Sequence, residues 1–139
     1  MKPLILRDDD HALVVADLDL ALFRLTWKGY VPGHMLRRIL IQAVMQVQQH
    51  RLRYWLSDSR SLGAILREDE LWIKNDMIPQ LLRMGVERLA IVMSQDFFTR
   101  MSTDRLVDHG RSSAPFPVQM FDTAENAALW LFTPKVAVA

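Results

Sequence analysis

The sequence predicts an α/β domain built on a mixed β-sheet, and three observations carry that expectation. Residues 20–28 alternate in polarity with a period of two. Residues 34–50 repeat apolar side chains with a period of about 3.6. From there to residue 132, short apolar runs alternate with helical patterns. Strands joined through helices pair in parallel, whereas the opening strands, joined by short turns, form an antiparallel meander, so the sheet is mixed.

Each element has a local reason. Residues 4–7 form a first strand that stops at Asp8-Asp9-Asp10-His11, a hairpin turn in composition. Residues 12–17 form the second, which reverses near Leu18-Asp19. In the third, residues 20–28, Ala21, Phe23, Leu25 and Trp27 share the face expected to meet the core. Gly29 and Pro32-Gly33 end it. The helix over 34–50 is expected to bury Leu36, Ile39, Leu40, Ala43, Val44 and Val47, leaving Arg37, Arg38, Gln42, Gln46 and Gln49 on a solvated face.

Tyr54-Trp55-Leu56-Ser57 reads as a strand opening into Asp58-Ser59-Arg60-Ser61, and the run Glu68-Asp69-Glu70 marks a helix start that the macrodipole favours. Pro79 then demands either a kink or two helices, over 68–75 and 78–84, stopped by Gly85. Residues 88–93 form a buried strand and residues 94–107 a helix carrying Phe97, Phe98, Met101 and Leu106. Residues 117–121 form the last strand, and Asp122-x-x-Glu125 resembles a capping box before a helix over 123–132. Residues 1–132 are expected to make one domain and residues 133–139 a frayed tail.

Composition narrows the function. The 139 residues are 50% apolar and long enough to bury a core unaided, and there is no cysteine for a disulfide, thiolate site or thiol nucleophile. Seventeen Lys and Arg against sixteen Asp and Glu give a net charge of +1, which argues against nucleic acid as a partner. The apolar start is broken by Arg7 and three aspartates, so no signal peptide is expected, and no stretch approaches the ~20 apolar residues of a membrane span. A cytoplasmic protein is expected. Five glycines supply neither a P-loop nor a dinucleotide fingerprint, and no cofactor is expected.

The Asp leaving the 54–57 strand, Trp72 in the next helix, Gly85 before Leu89-Ala90-Ile91-Val92 and the closing Ala128-Leu129-Trp130-Leu131 together resemble the STAS-like group related to anti-sigma-factor antagonists, in particular its small uncharacterised bacterial proteins. The resemblance spans roughly residues 13–131 and rests on hydrophobic spacing. It implies a STAS-like single domain that acts by docking to protein partners, with phosphorylation of a serine at a helix start as a switch in some members. Here the helix start holds Arg67-Glu68-Asp69 and no hydroxyl, and the Asp-Ser-Ser/Thr-Gly signature is absent. That start already carries three carboxylates, which would repel a phosphate, and Ser59 and Ser61 could take the role only if the loop before the helix were shorter than it reads.

Other constellations have plain structural readings. Asp8, Asp9, Asp10 and His11 could supply metal ligands, but consecutive side chains diverge and no EF-hand spacing follows. His34 and His50 lie at opposite ends of one helix and cannot chelate together. Asp104, Asp108, His109, Arg111, Ser112 and Ser113 form the densest polar cluster, yet no nucleophile elbow or oxyanion pattern accompanies them. The aromatic residues are more informative. Phe97 and Phe98 are adjacent on a helix with one buried face, and eight methionines add adaptable apolar surface. The first functional expectation is therefore a non-enzymatic interaction module that binds a protein partner, or itself, through Trp72, Phe97, Phe98 and Met101. The second is a binding module for a lipid-like or other apolar small molecule, and the third a small hydrolase using His109 with Ser112 or Ser113.

Overall fold

The computed structural model describes residues 2–63, 65–94 and 118–134. Six strands form one sheet: β1 (Leu4–Asp8), β2 (Ala12–Asp17), β3 (Leu22–Trp27), β4 (Tyr54–Asp58), β5 (Arg88–Val92) and β6 (Val118–Phe121). Their order across the sheet is their order in the chain. β1 to β3 pair antiparallel and β3 to β6 parallel, which is the mixed sheet the sequence predicts. The predicted helix over 94–107 lies outside the described residues.

The two sheet faces are filled by register. Ala16, Phe23, Trp55, Leu89 and Val118 stand side by side across β2 to β6 and are all buried. The Phe23 and Trp55 rings meet at 4.6 Å, tilted by 48°. Burying side chains of this size contributes about 1.5–3 kcal/mol each. A parallel crossover is right-handed, so strands that advance in one direction put their connecting helices on one face. That face receives α1 (Gly33–His50) and a helical run made of α2 (Arg67–Trp72), a π-turn (Ile73–Met77) and α3 (Ile78–Met84). The helix after the last strand, α4 (Ala124–Phe132), folds back on the opposite face, where Ala127 and Leu131 pack on Leu56, Ala90 and Val92.

Much of the local reading holds. All six stripe residues of α1 are buried, as are Phe23, Leu25 and Trp27. The aspartate run is a turn, in which Asp9 accepts from the backbone N–H groups of His11 (2.8 Å) and Ala12 (3.0 Å). The third strand begins two residues later than expected, because Ala21 takes a left-handed conformation (φ 53°) to close the reversal onto Leu18. The cap of α4 is Thr123, accepting from Asn126 N–H at 3.1 Å, one residue beyond the expected Asp122.

Of the two helices expected around Pro79, the second is present with its expected bounds, Ile78–Met84, and the first ends at Trp72 instead of residue 75 because a π-turn joins the two. Pro79 sits in the first turn of α3, and the preceding π-turn absorbs the missing N–H. The Gln80 amide donates to the Asp76 carbonyl (3.2 Å) where the ladder is disturbed.

Arg37 and the acidic run depart most from the expectation. Asp69 and Glu70 are 3% and 5% exposed, not solvated. Arg37 is not free on a polar face: its Nε donates to Asp69 at 2.7 Å, its Nη2 donates to the Glu68 carbonyl at 3.3 Å, and its guanidinium lies 5.7 Å from the Trp72 ring centre. The Asp69 carboxylate rests on the first residue of α1, so close that a Cβ on Gly33 would stand 2.6 Å from Oδ2.

Gly33→Ala is therefore expected to destabilise the fold by about 1–2 kcal/mol in urea denaturation, the usual cost of overpacking a held site. In an Asp69→Ala background the same change should cost nothing. Equal losses in both backgrounds would show that Asp69 does not set the constraint.

Candidate functional site

In parallel sheets, sites form beyond the carboxyl ends of the strands. Here that edge holds the end of β4 and the turn after it. Side chains alternate, so Trp55 and Ser57 point toward α1 while Leu56 and Asp58 point toward α4. The backbone N–H of Ser59 donates to the Val92 carbonyl at 2.7 Å, and Leu62 N–H to the Ser59 carbonyl at 3.2 Å, which fixes the turn. Ser57 and Ser59 share a hydrogen bond of 3.3 Å. Ser59 is buried and Ser61 exposed.

Asp58 is the buried acid of this edge. Arg60 grips it with two nitrogens, Nε at 2.9 Å and Nη2 at 2.6 Å, and Arg24 adds positive potential. Burial pushes the carboxyl up, but the Arg60 hydrogen bonds and charge outweigh it and hold the group below its ordinary value of 3.8.

On the α1 side, Trp27, Trp55, Leu62, Ile73, Met77 and Met93 enclose a cavity of about 80 Å³ with Ser57 and Ser59 in its wall. That is roughly half the ~150 Å³ known to admit benzene, and too small for a lipid chain. Met77, in the π-turn, also lines a second hollow on the outer surface. This groove, about 460 Å³, runs between α1 and the π-turn with α3, and it is lined by Ile41, Met45, Trp72, Asp76, Gln80 and Met84 among others. Ile41 and Met45, four residues apart on α1, are 50% and 63% exposed.

Of the residues singled out in the sequence for recognition, Trp72 is placed at this groove, half-buried, beneath Arg37. Phe97, Phe98 and Met101 lie outside the described residues, as do Asp104, Asp108, His109, Arg111, Ser112 and Ser113. Ile41 and Met45 were missed. They fall one step off the buried stripe of α1, where an isoleucine and a methionine stand among glutamines, and that pattern is the signal that could have found them. Among the described residues no group of three or more His, Asp or Glu is placed to hold a metal ion, and no helix is long and apolar enough to cross a membrane.

With a meander feeding a parallel sheet, helices α1 to α3 on one face and α4 on the other, the chain has the SpoIIAA-like, or STAS-like, fold. Solved structures share it, among them the following two. An uncharacterised DUF3478-family protein with a SpoIIAA-like fold from Shewanella loihica PV-4 superposes with a TM-score of 0.52 at 13% identity, covering 94% of this chain and 92% of its own. SiaC of Pseudomonas aeruginosa gives 0.54 at 15%, covering 87% and 98%. No family model and no curated protein matches the sequence.

The state of Asp58 has a consequence for acid stability. A carboxyl held below its unfolded value stabilises the fold above that value, and the gain is lost as pH falls through the folded one. Urea midpoints are expected to drop below about pH 4, and Asp58→Asn should flatten that drop while costing about 1–2 kcal/mol at neutral pH, because Arg60 is half-exposed. A pH profile identical to that of the unaltered chain would show that Asp58 is not held low.

Proposed function

We propose that this protein is a non-catalytic interaction module that docks a protein partner on the groove between α1 and the π-turn. The observation that carries the reading is the groove itself: Ile41 and Met45 exposed beside Trp72, in a hollow of about 460 Å³. Large apolar side chains left at a surface mark contact sites, and methionines adapt to the shape of a partner. The tryptophan is the residue type most often found to anchor such contacts. The resemblance to anti-sigma-factor antagonists, whose members dock to proteins, supports the same reading. Phe97, Phe98 and Met101 are proposed as further contacts. Of the two candidate serines, Ser61 is the one whose exposure suits modification.

The alternative of a lipid-like cargo finds less support, since the cavity beside Ser57 and Ser59 measures about 80 Å³. The groove also has a polar side, with Asp76 and Gln80 facing an α1 that contains no acidic residue. A partner segment carrying apolar and basic side chains suits that lining.

A photo-crosslinking residue placed at Met45 tests the proposal in the cell that makes the protein, with one at Leu129, exposed on α4, as control. A discrete adduct is expected from position 45 and not from 129, and Ile41→Glu should lower its yield at least about fivefold while changing stability by no more than about 0.5 kcal/mol. Absence of an adduct at 45, or the same adducts from both positions, would contradict the proposal.

A further inference from the structure

At the opposite end of the sheet from the Asp58 edge, β5 begins with an arginine that the interaction reading does not use. Arg88 is 8% exposed. Its Nη1 donates to the carbonyls of Trp130, Leu131 and Thr133, the last two at 3.4 and 2.8 Å, and its guanidinium lies 5.5 Å from the Trp130 ring centre. These contacts fix the side chain against the end of α4. They answer only part of its charge, because a helix C-terminus carries roughly half a negative charge. A guanidinium has five N–H donors, and Nη1 bears two of them. Among the described residues, Nε and Nη2 have no hydrogen-bond partner and Arg88 forms no ion pair. A buried cation in that state costs several kcal/mol unless something completes it.

A cavity of about 220 Å³ opens beside it, lined by Tyr54, Glu87, Leu131, Phe132, Thr133 and Pro134. Glu87 pairs with Arg53 at 3.4 Å instead of with Arg88. The Tyr54 ring stands edge-on to Phe132 at 5.4 Å, and its hydroxyl has no hydrogen-bond partner among the described residues. The Thr133 hydroxyl is already spent on the Leu129 carbonyl.

We propose that this cavity binds a carboxylate that bears an apolar group, held by Nε and Nη2 of Arg88 with the Tyr54 hydroxyl as a further donor. The planar fork of arginine matches the two oxygens of a carboxylate. A single negative charge suits the place better than a phosphate, because the α4 carbonyls and Glu87 repel a dianion. The volume exceeds the ~150 Å³ that admits benzene, so Leu131, Phe132 and Pro134 can wall an aromatic or alkyl group. Two sources share this chemistry, a free organic acid and the C-terminus of a polypeptide.

The experiment is an NMR titration of the full chain with phenylacetate, phenylacetamide, inorganic phosphate, and a short peptide ending in phenylalanine as free acid or as amide. Saturable shifts of the Trp130 indole N–H and the Arg88 Nε–H are expected with the free acids only, and whichever of phenylacetate and the peptide acid binds more tightly identifies the source. Arg88→Lys keeps a cation near the α4 carbonyls and should bind at least about tenfold more weakly. If that variant fails to fold, Tyr54→Phe is read instead, with a loss of about threefold or more expected. No saturable shift with either acid, equal binding of acids and amides, or unchanged binding in the variant that is read would overturn the proposal.

Discussion

The ion pair between Arg37 and Asp69 is the contact on which the helical face of this protein depends. The Asp69 side chain is 5% exposed and that of Arg37 38%. A buried acid is costly unless paired and hydrogen-bonded, and this one is met by Arg37 and by the positive end of an 18-residue helix. The approach is close enough that a Cβ at position 33 would push against the Asp69 carboxylate. Because Arg37 also reaches the Glu68 carbonyl and lies over Trp72, one side chain ties α1 to both ends of α2. The π-turn follows directly after Trp72, and its Met77 stands between the inner cavity and the outer groove.

That pair also shows where reading the sequence stops. The period of 3.6 correctly separated the buried stripe of α1 from its other positions, because periodicity reports which side of a helix meets the sheet. It gave Arg37 to solvent, since a partner 32 residues away leaves no local trace. Glu68-Asp69-Glu70 was legible as a helix start, which it is, but two of its three acids are enclosed by tertiary structure. Phe23, Leu25 and Trp27 were legible for the opposite reason: an alternating strand carries its own record of which face is buried.

The strand order was not legible. A meander followed by parallel strands can be laid out in several ways, and only the closed set of pairings shows that chain order and spatial order coincide. Pro79 announced a disturbance without its form, because a proline is satisfied equally by a helix start or by an extra residue in the turn before it. Arg88 gave no hint of its burial, which comes from α4 closing over it 42 residues later. For the candidate site, Trp72 was legible as an aromatic just after an acidic run. Ile41 and Met45 became meaningful only when α3 and the π-turn were seen to stop short of covering them.

The functional reading rests on that same packing. Trp72 stands at the groove because the helix before it is pinned, and a loose α2 would leave neither a fixed ring nor a formed hollow. The most direct measurement is a double-mutant cycle on Arg37→Ala and Asp69→Ala, read by urea denaturation together with the NMR signal of the Trp72 indole N–H. The account predicts a coupling energy of about 1–3 kcal/mol and the same spectral change in each single variant as in the double. Additive losses, with the Trp72 signal unmoved, would contradict it.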